Sequence, residues 1–331
     1  MAKATKSKAA KAKSKAAKAK SKAAKPKSKA AKPKAKAAKP KARSKTVQKP
    51  IVCFVTPTSQ NAKSVKAFKA LIDDLQETKI DWHPLGANGT NDSTVLGGLA
   101  QQAVDYVVSR QGTPPHQVPA VIVAGGTLAA SLVQSHTTTI PIVQAAGGSK
   151  PSNAGANMTG FYLNDPSAAK TICQQQYDLL NPTTTARVAV LYDSKNDNAT
   201  QDILHSLTNY MTPDTFNVVD IVGNLASLTA DRLKGIDAQH PNQCTSFMLI
   251  PNALFYDQCD DIANKVEQAN IPYAIYPERE YKNAHSNKNG KQVHGHKIGL
   301  TFGLAAYYVD SLLNDPTCIG TLPWQEAVRD V

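Results

Sequence analysis

The first fifty residues hold no aspartate, no glutamate and no aromatic side chain. Without aromatics this segment offers no platform for base stacking, and without large apolar side chains it has little to bury. The chain of 331 residues also lacks any apolar run approaching the ~18 residues of a membrane-spanning helix. It lacks the apolar stretch of about 7–15 residues that a secretory signal places behind a short basic start. The first apolar run, IVCFV at 51–55, is shorter and later, and reads as a strand. Cysteine is scarce. Cys53, Cys173, Cys244, Cys259 and Cys318 are far apart, odd in number and without a Cys-x-x-Cys spacing. That argues against a disulfide framework, fits a reducing compartment and suits small buried hydrophobes. No dinucleotide or P-loop fingerprint, nucleophile elbow or His-Glu-x-x-His helix occurs. A non-enzymatic protein with no cofactor is therefore expected. His294-Gly-His296 has no third ligand nearby in sequence, so no metal site is expected there.

What is present is charge, unevenly placed. Residues 1–50 carry 19 lysines and one arginine. Taking these 20 from the 38 basic residues of the chain leaves 18 against 25 acidic residues, a net of −7. A strongly basic tail is thus joined to a mildly acidic body, which points to two physical roles.

The tail repeats with a period of seven: KAKSKAA at 11–17 and 18–24, KPKSKAA at 25–31, KPKAKAA at 32–38 and KPKARSK at 39–45. No position of the heptad carries a large apolar residue, so there is no coiled-coil seam. Pro26, Pro33 and Pro40 would also interrupt a continuous helix. Residues 1–49 are expected to be a disordered basic tail. Lys11, Lys13, Lys15, Lys18, Lys25, Lys32, Lys39 and Arg43 along a flexible chain can follow phosphates and release counterions, giving affinity without sequence readout. Nucleic acid or another polyanion is the expected partner. A solubilising tail, an anionic-surface anchor and a piece of a targeting segment are the open alternatives. The repeat resembles the C-terminal tail of linker histones and the basic nucleoid proteins of some bacteria.

From Pro50 onward, short β-rich runs alternate with helical periodicity. Strands are expected at 51–55, near 82–85, and at 120–123, 140–143 and 158–163, with helices striped by Val65, Phe68, Ile72 and Leu75 and by Leu96, Leu99, Ala103 and Tyr106, and one beginning at 128–133. The series then restarts. A helix at 168–180 leads to strands at 188–192, 218–222, 247–250 and 273–276. Helices fall between and after them at Ile203–Leu207–Tyr210–Met211, at 228–236, at Phe255–Cys259–Ile262–Val266 and at 304–313. Alternating βαβ units imply parallel sheets covered on both faces, and two series imply two lobes.

Several segments carry a family likeness: VIVAGGTLAA at 121–130, TIPIV at 139–143, NMTG at 157–160, RVAVLYD at 187–193, PYAIYP at 272–277, YVDSLL at 308–313 and Leu322-Pro323. In this order they resemble the ABC-transporter substrate-binding proteins of the tryptophan/tyrosine type, from about residue 50 to the C-terminus. The resemblance implies an α/β, two-lobed, type I periplasmic-binding-protein-like fold behind the tail. It places lobe 1 at 50–163 with 278–314 returning to it, and lobe 2 at 164–277 with 315–331 returning to it. Crossings are implied near 161–164, near 276–281 and after Leu313. Two departures stand out: the basic tail replaces an export signal or lipoprotein cysteine, and 285–297 is unusually polar and basic.

In open α/β sheets ligands bind beyond the carboxyl ends of strands, and with two such lobes the cleft between them is the natural site. Gly125, Gly126 and Thr127 follow a strand and open a helix, where backbone N–H groups and the hydroxyl can hold a carboxylate. A tight turn with Thr127 as N-cap fits the same residues. Thr56, Thr58 and Ser59 offer hydroxyls at the analogous edge, or cap a loop. Asp193, Asn196 and Asn198 lie in a loop that the resemblance implies contacts the ligand main chain. Asn252 and Phe255 follow the strand at 247–250; Phe255 can pack on an apolar ligand or belong to its helix core. Glu278, with Arg279 beside it, falls at an implied crossing, where a charge can reach the ligand or latch the hinge.

The expectation is a protein that closes two lobes on a small amino-acid-like or carboxylate ligand, with a polyanion-binding tail. One alternative is a nucleoid-associated or scaffold protein on a ligand-free binding fold. Another is the exported solute-binding component of an ABC transporter, with a permease partner. The corresponding locations are the cytoplasm, nucleoid-associated through the tail, or the periplasm.

Overall fold

Residue Ile51 opens a strand, β1 (Ile51–Thr56), in which every side chain is buried, so the strand must be covered on both faces. It lies between two neighbours in a six-stranded sheet with β2 (Asp81–Gly86), β3 (Ala120–Ala124), β4 (Ile142–Gly147), β5 (Met158–Tyr162) and β11 (Gln325–Glu326), ordered β11-β5-β4-β3-β1-β2 with parallel pairings. A second sheet holds β6 (Val188–Tyr192), β7 (Phe216–Asp220), β8 (Ser246–Leu249), β9 (Tyr273–Tyr276) and β10 (Gly290–Gln292), ordered β10-β9-β8-β6-β7, again parallel. The computed structural model divides the chain into Met1–Thr46 and Val47–Val331. It describes residues 48–114, 116–162, 166–195, 198–250, 252–276, 290–292 and 298–326. The basic repeat, with Lys11 through Arg43, lies outside the described residues.

Period-two alternation sorts each strand's side chains between two helical layers. In the first sheet Val52, Phe54, Val121, Val123 and Val143 share a cluster with Val65, Phe68 and Ile72 of α1 (Lys63–Leu75) and with Phe302, Ala305, Val309 and Leu312 of α9 (Ile298–Asn314). Ile51, Cys53, Val55, Ile122 and Ile142 face the other way, onto Ala100, Ala103 and Val107 of α2 (Ser93–Gln111) and Ala129, Ala130 and Val133 of α3 (Thr127–His136). The second sheet repeats the arrangement. Val188, Val190, Met248 and Ile250 meet Cys173 and Tyr177 of α4 (Pro166–Leu180) and Ile203 and Leu207 of α5 (Asn198–Tyr210). Ala189, Leu191, Phe247 and Leu249 meet Leu233 of α6 (Ala230–Lys234), Leu254 and Phe255 of α7 (Ala253–Asp257) and Ile262 and Val266 of α8 (Cys259–Gln268).

Four expectations are corrected. The Phe255–Val266 stripe is two helices: Asn252 caps the start of α7, the helix breaks at Gln258, and Asp260 and Asp261 lie in the first turn of α8. The strand expected at 218–222 is Phe216–Asp220, because the chain turns through positive φ at Val222 and Gly223. Residues 315–326 do not return to the second lobe: β11 pairs with β5, Thr159 Oγ1 donates to Leu322 O at 2.9 Å and Tyr308 donates to Pro323 O at 2.8 Å. Nor does the whole of 278–314 belong to the first lobe, since β10 extends the second sheet beside β9.

Cys53, Cys173, Cys244 and Cys259 are buried. Burial pushes the Cys53 and Cys173 thiols up to about 12, so they stay protonated and behave as small apolar groups. Among the described residues no helix is long and apolar enough to cross a membrane.

Candidate ligand-binding cleft

Both sheets reverse their strand order at the same place: between β1 and β3 in one, and between β6 and β8 in the other. The carboxyl ends flanking such a switch point form a crevice, because the connecting helices depart to opposite faces there. In the first lobe these ends are Thr56–Ser59 and Gly125–Thr127. In the second they are Asp193 and Asn252, which follow β6 and β8.

Thr56 and Thr58 are buried, with their hydroxyl oxygens 2.9 Å apart, and Thr58 N donates to Thr56 Oγ1 at 3.2 Å. Gly125 lies directly against them: a Cβ there would stand 3.0 Å from Thr56 Oγ1 and 3.2 Å from Thr56 Cβ. Ser59 accepts from Asn61 N at 3.2 Å, a local turn that leads into α1. Thr127 is not the N-cap of α3. Gly126 takes that place with φ 127°, a backbone that glycine adopts freely, and provides no side-chain cap. Thr127 Oγ1 instead donates to Ser149 O at 2.9 Å, tying the start of α3 to the loop after β4.

Asp193 is fully buried and accepts four hydrogen bonds. Lys195 N and Gly223 N reach Oδ1 at 3.0 and 2.6 Å, and the Asn91 and Asn252 amides reach Oδ2 at 2.6 and 3.2 Å. Asn91 belongs to the loop after β2, so this carboxylate fastens one lobe to the other. Asn91 N also donates to Gly223 O at 2.9 Å, and Thr90 forms an antiparallel bridge with Asn224. Asn252 does two jobs: its Oδ1 caps α7 at Leu254 N, 2.9 Å away, while its Nδ2 holds Asp193. Phe255 lies in the second-lobe core and not on a cleft wall. Its neighbour Tyr256 is the residue that crosses, joining the first-lobe cluster that contains Phe54, Val65 and Phe302. Asn196, Glu278 and Arg279 lie outside the described residues, as do His294 and His296. Asn198 begins α5, and its side chain is not described.

A second inter-lobe fastening was not foreseen. Asp257 of α7 accepts Ser64 N at 3.1 Å and Ser64 Oγ at 2.6 Å, and also bonds the Thr58 hydroxyl. The N-cap residue of α1, Ala62, offers no side-chain acceptor, so a carboxylate from the other lobe takes over the capping of this helix. Beside it, Lys63 pairs with Asp260 at 2.7 Å across the same junction. The only local signals were the alanine before α1 and an aspartate at the end of a short apolar helix. Neither names its partner some 190 residues away.

No family model matches this sequence, and no curated protein does. Solved structures do match. A conserved domain protein from Vibrio cholerae superposes with a TM-score of 0.58 at 15% identity, over 86% of this chain and 92% of that one. An ABC domain from Streptococcus pneumonia in complex with L-Trp gives 0.55 at 12% identity, over 83% and 88%. Transcription regulator CcpA of Lactococcus lactis gives 0.51 at 10%, over 86% and 98%. The body has a type I periplasmic-binding-protein-like fold. Likeness at these identities is a likeness of fold, shared here by proteins of several kinds.

Burial pushes the Asp257 carboxyl above the usual carboxylate range, against the opposing pull of the Ser64 hydroxyl and N–H, the Thr58 hydroxyl and Lys63. A carboxyl whose pKa is raised on folding contributes fully below its unfolded pKa, and that contribution is lost as pH rises through the folded value. Wild type should therefore lose stability relative to Asp257→Asn as pH climbs from about 4 towards neutrality. Denaturant midpoints of the two proteins across that range check the sign; parallel curves would show that Asp257 ionises as freely when folded as when unfolded.

Proposed function

We infer that residues 50–331 bind a small molecule between the two lobes and do no chemistry on it. The observation that carries this reading is the meeting of the two strand-order switch points, with polar groups of both lobes sharing one buried junction. A ligand touching both edges stabilises the closed arrangement, and closure is the mechanism. A carboxylate suits the amino end of α3, where Gly126 provides no side-chain cap and the first N–H groups meet the positive end of the helix dipole. An amino acid fits this description, and the Streptococcus structure of the same fold was solved with L-Trp. The test is thermal unfolding of the full chain against a panel of amino acids and small carboxylates. Ligand at ~100 times its dissociation constant should add about 2.7 kcal/mol of stability and raise the melting point. No shift across the panel would sink the reading.

One observation favours a rival, a scaffold that has given up its ligand. The acceptor positions of Asp193 are filled by protein donors, two of them from Asn91 and Asn252, so the lobes are fastened without any third party. The same panel separates the two readings.

The tail supports a second activity, sequence-independent attachment to nucleic acid or another polyanion. Nineteen lysines without a single acidic residue in the first fifty supply the counterion-releasing charge. Deleting residues 1–46 should abolish DNA retention in a mobility-shift assay. Full-length protein should lose affinity steeply and linearly on a plot of log K against log salt. Equal retention by the deleted protein would remove the tail from the account.

A further inference from the structure

The amino ends of the second sheet's strands, away from the cleft, surround a pocket of about 350 Å³ lined by Thr184, Arg187, Asp214, His240 and Asn242 together with Gln239 and Pro241. Three helix-to-strand loops build it, those that precede β6, β7 and β8. Its volume is that of a small-molecule site.

Arg187 is only 3% exposed. Its Nη1 donates to Gly235 O at 2.8 Å and its Nη2 to Phe216 O at 3.0 Å, while Nε is buried and has no partner. Carbonyl oxygens satisfy hydrogens but carry no countercharge, and no carboxylate among the described residues pairs with this guanidinium. A buried charge without a counter-ion is costly and is normally paired. Asp214, which also lines the pocket, is already engaged: His240 bridges it at 3.2 Å and Asp237 at 3.0 Å. At the rim, the Thr184 hydroxyl and the Asn242 amide make no hydrogen bond among the described residues and are available to donate.

We propose that this pocket is a second binding site, for a small oxyanion, either the carboxylate of an organic acid or a phosphate group, with Arg187 as its counter-charge and Thr184 and Asn242 as neutral donors. The anion sits above the guanidinium and beside His240, and Asn242 closes the rim. This site is independent of the cleft and of the tail.

The experiment uses the ¹⁵N-labelled full chain. The Arg187 Nε–H and the side-chain amides of Asn242 and Asn252 are followed by NMR while inorganic phosphate and, separately, acetate are added at constant ionic strength. Arg187 Nε–H is shielded from solvent, so its exchange with water is slow enough to observe. Saturable shifts at Arg187 and Asn242 are expected; a shift confined to Asn252 reports the cleft alone and counts against the pocket. A response to phosphate only or to acetate only tells which oxyanion the pocket takes. Asn242→Asp puts a negative charge on an exposed rim position and should weaken binding at least tenfold without unfolding the protein. Binding by the tail's lysines is common to both proteins and cancels in the comparison. No saturable shift at Arg187 with tens of millimolar of either anion, or the same affinity in Asn242→Asp, overturns the proposal.

Discussion

Asp193→Ala should cost about 4 kcal/mol of stability and loosen the two lobes at the same time. Hydrogen bonds to a charged group contribute roughly 1.5–3 kcal/mol each, and buried donors left without an acceptor add their own desolvation penalty. Here two backbone N–H groups and two amide groups lose their acceptor at once, so the individual costs will not simply add. Asp193→Asn should fall between the variant and wild type. Its oxygen can still serve Lys195 N and Gly223 N, but its NH₂ would then face two donors. Asn91 can turn its amide to present an oxygen; Asn252 cannot, because its oxygen caps α7. Urea unfolding measures the stability, and small-angle scattering measures the lobes, whose radius of gyration should grow when the Asn91–Asp193 link is gone. A scattering curve unchanged in Asp193→Ala would mean that Asp257 and the Thr90–Asn224 bridge hold the junction alone.

Gly160→Ala should be about as damaging, for a reason confined to the backbone. Gly160 lies in β5 opposite Gln144 of β4, with φ 145°. A Cβ at this position would stand 2.2 Å from Gln144 O and 2.7 Å from Gln144 N, atoms that cannot swing aside. Overpacking costs about 1–3 kcal/mol and a disfavoured backbone region about as much again, which puts the loss at roughly 3–5 kcal/mol. For a body of this size the fall in melting temperature should be on the order of 10 °C. The Gln144 amide, which donates to Phe161 O at 2.9 Å and Ser149 O at 3.0 Å, ties this strand pair to the loop that Thr127 also holds, so the damage should reach the amino end of α3. A folded Gly160→Ala protein with an unchanged melting point would show that β5 can slide away from β4 at little cost.

The parallel βαβ series was legible because buried strands write themselves as short apolar runs and their helices as stripes at 3.6 spacing. Val52–Phe54 and Val65–Phe68–Ile72 are one such pair, and they meet in one cluster. The break at Gln258 was not legible, since Phe255, Cys259, Ile262 and Val266 keep helical spacing across it, and its one local mark was the acidic pair at Asp260 and Asp261 just after it. The fate of the C-terminal residues was decided by one edge strand of two residues, β11, too short to show any period. Candidate cleft residues were found by position, after the strands, and the chemistry of their surroundings was not. Asp193 and Asn252 stand where strand ends predict, yet their hydrogen bonds go to protein groups. Asn91, Tyr256 and Asp257, which join the lobes, could not be paired from sequence because each acts on a residue more than a hundred positions away.

The cap that Asp257 lends to α1 turns a rigid-body movement into a local one. Separating the lobes withdraws the acceptor from Ser64 N, and the first turn of α1 then has no side chain of its own to replace it. Each opening exposes that amide to water, so its hydrogen exchange counts openings while deeper amides such as that of Ile72 count only unfolding. A ligand that holds the lobes together would slow the one clock and leave the other unchanged.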